Sequence, residues 1–381
     1  MTVPFRIREA GSDDNERLIA LSKRCPTRGP LSVYSDRFPD FFAMTRQQGE
    51  RSFIYVGETY DGEILGCVVL IERMEQRGEQ SVKVLHLSDL RVDPRFKRSA
   101  LAALLIQRYS ERLQAGSYHH GITEILKNNA EPSRANNILK SSVEVRTKAR
   151  VTLYKLFPAW NYRVSKAWTY RQATPSDYPK LSKLLQSVYR DAVGAPSFSL
   201  EWLQAATQKH SSFTFANIWL ALDDKNEIKA CLARWDQQAL RKTVVVRSSK
   251  AVKFIVRFLT LIGFLWRLPP LPKTGKPLDY QYFRWLAATS ENMPALRSLL
   301  RFAMRKTRDD GKYQFALVGF HDRDRLKSAV RGIIRHKEPM HIYSHRLINS
   351  SEPLENFTPS SSAPVSPSLL KQALYVDASL I

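Results

Sequence analysis

A chain of 381 residues with 43% hydrophobic and 25% charged side chains has the balance of a folded globular protein. That excludes a disordered or fibrous one, and the length asks for two cores of about 150–170 residues each. Three scattered cysteines, Cys25, Cys67 and Cys231, offer neither a disulfide framework nor a metal-binding pair, so a reducing, cytoplasmic setting is expected. The net charge of +23 is uneven. Through Ser165 there are 26 Lys and Arg against 19 Asp and Glu, and beyond it 33 against 17, so the second half carries a field that attracts polyanions or simply keeps the protein dissolved.

The first ten residues join no basic start to an apolar run, and no signal peptide is expected. A short strand, a turn and a helix open the chain at Arg8-Glu9-Ala10-Gly11-Ser12-Asp13-Asp14, with Leu18 and Leu21 on one helical face. Strands over Phe53–Thr59 and Ile64–Arg73 flank the polar turn Asp61-Gly62-Glu63 as a hairpin. Then come a strand over Val82–Val92, a helix over Lys97–Ala115 and a strand over Ile122–Lys127. A helix over Pro132–Ser141 and strands over Val151–Phe157 and Trp160–Tyr170 complete this half.

The pattern then starts again. Arg171-Gln172-Ala173-Thr174-Pro175-Ser176-Asp177, with Leu181 and Leu184, repeats the opening at an offset of 163. Ile228, Ala230 and Cys231 answer Ile64, Gly66 and Cys67 at an offset of 164, again after a polar turn, Asp224-Lys225-Asn226. A period of this length means duplicated domains. The second copy reads as strands over Thr214–Leu222, Ile228–Gln237 and Tyr280–Ala287, a helix over Met293–Arg308 and a strand over Phe315–Phe320. A helix over Arg323–Ile334 and a strand over His341–Leu347 end it. An insertion at 250–276 holds the apolar run Phe254–Trp266, which Arg257 interrupts and which is too short to span a bilayer. The expected organisation is α+β: two tandem domains, 1–166 and 167–348, then a Ser/Pro-rich tail, 349–381, ending in a short docked helix.

The stretch from Leu87 to Leu105 carries chemistry. An apolar strand runs into a basic turn and directly into an Ala- and Leu-rich helix. A helix N-terminus with free N–H groups suits a pyrophosphate. Ser99, Ala100 and Ala102 let phosphates approach the backbone, and Lys97 and Arg98 add positive charge.

This run resembles the acetyl-CoA signature of the GNAT (GCN5-related N-acetyltransferase) family: a Val-x-Pro strand end, here Val92-Asp93-Pro94, then an Arg/Gln-x-x-Gly-x-Gly/Ala loop. The loop falls on Lys97, Arg98, Ser99, Ala100, Leu101 and Ala102. The resemblance implies two GNAT-like folds, each a mixed, mostly antiparallel sheet flanked by helices. It implies acetyl-CoA as co-substrate, with no metal. The backbone of Leu90, Arg91 and Val92 would pair with the pantetheine arm, the turn would hold the pyrophosphate, and Asn129 would touch the cofactor. Asp89, three residues after His86, would be the base, and Tyr154 is the nearest candidate to protonate the leaving thiolate. As residues alone, Asp89 fits a strand-edge salt bridge equally well, and Tyr154 fits a core position. Two departures stand in the loop: Lys97 replaces Arg or Gln, and Ala100 replaces a Gly that serves close approach or positive φ.

The second copy has Thr289-Ser290-Glu291-Asn292-Met293-Pro294 at the same place, which is helix-capping chemistry. Glu291 would repel a pyrophosphate, so this copy reads as degenerate and as shaping the acceptor site or the interface between the copies. His336, His341 and His345 complete no metal set. The leading function is an N-acetyltransferase acting on an amine of a small molecule or peptide. The alternatives are a non-catalytic CoA-binding or protein-interaction module and a tRNA-dependent aminoacyl transferase of tandem-GNAT type, the one reading that draws nucleic acid in.

Overall fold

The computed structural model describes residues 5–27, 29–77, 80–126, 143–209, 212–250, 252, 272–347 and 374–380. Asn129, the helix expected over Pro132–Ser141, most of the 250–276 insertion and the Ser/Pro-rich stretch lie outside them.

Each copy opens with the same ion pair, a buried carboxylate held by a partly exposed arginine. Strand β1 (Phe5–Glu9) leads through the turn Ser12–Asp14 into α1 (Asn15–Arg24), and β8 (Thr169–Gln172) leads through Pro175–Asp177 into α4 (Tyr178–Tyr189). The Asp14 carboxylate accepts from Gly11 N at 2.9 Å and from Arg8 Nη1 and Nη2 at 2.7 and 2.8 Å. Asp177 accepts from Thr174 N at 2.8 Å and from Arg171 at 2.6 and 2.7 Å. A carboxylate at a helix mouth satisfies a free amide and meets the positive dipole end, and the arginine offsets its burial. The offset-163 pattern is therefore a structural unit, written twice.

The first copy continues with β3 (Arg51–Thr59), β4 (Ile64–Arg77), β5 (Gln80–Val92), α3 (Leu101–Ala115) and β6 (His120–Leu126), which runs parallel to β5. The second continues with β9 (Ile218–Leu222), β10 (Ile228–Trp235), β13 (Tyr280–Ala287), α6 (Met293–Asp309) and β14 (Phe315–His321), parallel to β13. Shorter helices α2 (Phe42–Gln48) and α5 (Leu200–Gln208) cover one face. Leu101, Leu105, Ile106 and Tyr109 of α3 pack on Leu65, Leu85 and Leu87, while Leu18 and Leu21 of α1 pack on Val56, Cys67 and Val69 across the sheet.

All of this forms one sheet of twelve strands, because the copies exchange their last strands. β15 (Arg335–Leu347) pairs with β6, from Met340↔Leu126 to His345↔Gly121. β7 (Val143–Leu156) pairs with β14, from Ala316↔Leu156 to His321↔Val151. The two exchanged strands pair with each other through the centre, giving the order β1-β3-β4-β5-β6-β15-β7-β14-β13-β10-β9-β8. A second, small sheet joins β2 (Leu31–Asp36) of the first copy to β11 (Lys242–Ser248) and β12 (Pro277–Leu278) of the second.

Four sequence expectations are corrected. Trp160–Tyr170 is not a strand: the slot beside β6 is taken by β15, and residues 157–168 loop over to β8. Arg323–Ile334 is a 3-10 turn, Arg325–Val330, capped by Asp324 and followed by Gly332 at φ +80°. The helix expected from Lys97 starts at Leu101, after the 3-10 turn Pro94–Phe96. Of the expected terminal helix, the described residues form a bridge at Leu374 and the short turn Ala378–Leu380.

Candidate functional site

The site is built from a bulge and a parting of strands. β5 and β6 pair at Val84↔His120, Leu85↔Gly121 and His86↔Ile122 and exchange no further backbone pair, although β5 runs on to Val92. In that stretch β5 also bulges against β4, the register shifting between Cys67 and Val69. Asp89, at the bulge, adopts φ +49°, and its carbonyl accepts from Cys67 Sγ at 3.7 Å. Positive φ is costly for a side chain with a Cβ and persists only where the surroundings impose it. The second copy repeats the device: Trp285 has φ +53°, and its carbonyl accepts from Cys231 Sγ at 3.2 Å. The cysteines matched at offset 164 thus hold equivalent bulges.

Beyond the bulge the chain makes a tight basic turn. Asp93 accepts from Arg95 N at 3.0 Å and from Arg24 Nε at 2.7 Å, and Ser99 N donates to Phe96 O at 3.0 Å. Ala100 has φ −71° and ψ −2°, a backbone that any residue adopts, so its departure from Gly carries no conformational strain. Lys97, Arg98, Ser99, Ala100, Leu101 and Ala102 come together at the mouth of α3, with Arg98 and Ala100 exposed. Leu101 N donates to Ser99 Oγ at 3.3 Å, and among the described residues the next two amides of the helix have no partner in the preceding turn. Leu90 and Val92 pack toward α3, beside this turn.

Asp89 and Arg91 lie on a different footing. Asp89 Oδ1 accepts from Arg91 Nε and Nη2 at 3.0 and 2.6 Å, and Oδ2 accepts from Arg37. Burial alone would raise the Asp89 carboxyl, but the two guanidinium groups outweigh it and hold it well below the usual carboxylate range. A carboxylate held this way takes up a proton poorly.

The structure offers another candidate proton acceptor three residues before Asp89. His86 is 1% exposed, and its Nε2 makes a short bond to Glu124 of β6, across the parting strands. Burial, then Arg73, lower the imidazole pKa, so it is neutral at pH 7. Among the described residues its Nδ1 has no hydrogen-bond partner. Glu124 and Arg73 line a cavity of about 480 Å³ together with Gln48, Trp202, Trp235 and Arg284 of both copies. The signal that could have found this pair was local: a histidine set between Leu85 and Leu87 and a glutamate beside Ile125, on strands that lie next to each other.

Tyr154 is not brought to this place. It lies on β7, three strand positions from β5, about 14 Å across the sheet, and packs in the second copy's core edge-on to Phe320 at 5.8 Å.

In the second copy the chain fills its own gap. Past Tyr282↔Leu317, β13 and β14 part, and the segment 374–380 packs there. Asp377 pairs with Arg284 at 2.6 Å, Ser379 O accepts from Gln237 at 2.7 Å, and Leu380 O accepts from Arg73 at 2.8 Å. Gly319 makes room, since a Cβ there would meet Val376 at 2.7 Å. Asn292 and Met293 start α6 without a basic turn. Among the described residues no group of three His, Cys, Asp or Glu side chains could hold a metal ion, and no helix is long and apolar enough to cross a membrane.

Residues 16–134 match the model of the acetyltransferase (GNAT) family. No curated protein matches the chain. Among solved structures it is similar to the GCN5-related glucosamine N-acetyltransferase region of a fungal multi-domain GH3 beta-N-acetylglucosaminidase, with TM-score 0.60 and 12% identity over 91% of this chain and 38% of that one. This chain therefore spans well under half of that protein. It is also similar to N-myristoyltransferase from Saccharomyces cerevisiae with bound myristoyl-CoA, with TM-score 0.60 and 9% identity over 91% and 84%. A third is a tandem GNAT protein from the clavulanic acid biosynthesis pathway, with TM-score 0.58 and 10% identity over 92% and 100%. At these identities the likeness is one of fold, and the fold is GNAT, in tandem.

Proposed function

We propose, from the premise that this chain is a tandem GNAT fold with a GNAT family segment at its start, that it is an N-acyltransferase. It would move an acyl group, acetyl first, from acyl-CoA to an amine. The observation that carries this reading is the parting of β5 from β6 directly before the Lys97–Ala102 turn.

Acyl-CoA supplies the activated thioester; the chain's residues bind it and manage protons. The free edge of β5 at Leu90, Arg91 and Val92 extends the sheet to the pantetheine amides. The amides at the mouth of α3, with Lys97 and Arg98, take the pyrophosphate. Asn129 would add a contact beyond β6. An amine must lose a proton to attack, and the acceptor for it must be free at neutral pH. His86, whose Nε2 pairs with the Glu124 carboxylate that would steady its imidazolium, is the candidate for that acceptor. Asp89 then positions β5 by tying it to Arg37. The second copy, whose gap is filled by residues 374–380, is the degenerate one, and it walls the acceptor cavity. Three free thiols fit a reducing, cytoplasmic setting.

Thermal shift with acetyl-CoA, CoA and tRNA, paired with thiol release over an amine panel, tests the reading. Stabilisation by acetyl-CoA with thiol release supports it. Equal stabilisation by CoA without thiol release makes the protein a binding module, and stabilisation by tRNA alone favours aminoacyl transfer.

A further inference from the structure

Asp89 lies among three arginines. Arg37 at the end of β2, Arg91 on β5 and Arg241 before β11 all act on its carboxylate, which is the charge common to the three. Asp89 is fully used: one oxygen serves Arg91, the other Arg37 Nη2. Arg37 is 3% exposed, its guanidinium lies 4.6 Å over the Phe41 ring, and among the described residues its Nε and Nη1 have no hydrogen-bond partner. Those two nitrogens carry three N–H donors. A buried guanidinium with open donors beside two more guanidinium groups is strongly unfavourable alone and becomes favourable when an anion completes it.

We infer that Arg37, flanked by Arg91 and Arg241, forms an anion subsite for a compact carboxylate or phosphate group. Asp89 belongs to the bulge where β5 leaves β6, on the α1 face of the sheet and opposite the α3 face to which Leu90 and Val92 turn. An anion here is therefore distinct from the pyrophosphate at the mouth of α3. Resting on the acyl-transfer reading, it is the anionic group of the acceptor, so the preferred acceptors are amines that also carry a carboxylate or phosphate. The chain's net charge of +23 draws such acceptors in.

The test titrates inorganic phosphate and, separately, acetate into the full chain, following the melting temperature at constant ionic strength with chloride as control. Saturable stabilisation by either anion, with an apparent Kd raised at least about tenfold in Arg37→Met, is expected, because charged hydrogen bonds are each worth at least that factor. The stronger of the two anions names the ligand group. If Arg37→Met does not fold, Arg37→Lys keeps one charge without the fork and is expected to weaken binding to a smaller degree. Equal shifts with chloride, or unchanged binding in both variants, overturn the subsite. Binding lost in the variants while no amine is acylated keeps the subsite and removes the acyltransferase reading. With turnover present, an amino acid is expected to outcompete its decarboxylated amine in the wild type and not in Arg37→Met; no difference between the two amines overturns the assignment to the acceptor.

Discussion

At the residue scale, Asp89 and His345 show how burial and partners set charge. The Asp89 carboxyl sits below its unfolded value near 3.9 because Arg37 and Arg91 outweigh burial. Its stabilising contribution is therefore present above about pH 4 and lost as the pH falls further. Asp89→Asn leaves Arg37 buried without its counter-charge and is expected to cost about 3–5 kcal/mol in denaturant unfolding at pH 7; a loss under about 1 kcal/mol would refute the buried pair. His345 is pushed down to about 3 by burial, and its Nδ1 accepts from the Tyr109 hydroxyl at 2.7 Å. Unfolding lets it protonate below about pH 6.5, so stability is full above that pH and declines toward pH 3. His345→Gln should flatten that decline by one proton's worth between pH 6.5 and 4, read from unfolding midpoints; an unchanged slope would place the proton elsewhere. The basic turn was legible in the sequence because residue type and order define it. The His86–Glu124 pair was not, since it arises only when β5 and β6 lie side by side.

At the element scale, the site depends on the β4–β5 bulge lying against α3. A Cβ on Gly66 would come within 2.9 Å of Arg91 O and 3.1 Å of the Leu101 and Leu105 side chains. Gly66→Ala is expected to destabilise the fold by about 1–3 kcal/mol and to weaken CoA binding, because it displaces the first turn of α3. Calorimetry on the variant checks both, and intact stability would argue against the packing described. Strands β3, β4 and β5 could be read from alternation between punctuating turns. The bulges could not, because Trp285 is of a type that rarely adopts positive φ and an Asp within a strand does not by itself mark one. Strands β2 and β11 were missed because each finds its partner in the other copy, beyond the reach of local pattern.

At the scale of the whole molecule, the repeat was legible while the exchange of strands was not. Offsets of 163 and 164 place like elements in like order, but a boundary near residue 166 divides the chain without dividing the sheet. β7 belongs with β14 and β15 with β6. Residues 1–166 expressed alone should therefore fail to fold cooperatively, with folding regained when residues 167–381 are supplied; a sharp two-state melt of the first segment alone would contradict the exchange.

The proposed function places the pyrophosphate of acyl-CoA at the turn Lys97–Ala102, at the mouth of α3. Isothermal titration of CoA into the full chain and into Ser99→Glu, which sets a carboxylate in that turn, tests it most directly. One saturable site in the wild type, weakened at least about tenfold in Ser99→Glu with the melting temperature kept, is the predicted result; no binding to the wild type, or equal binding to both proteins, would contradict it.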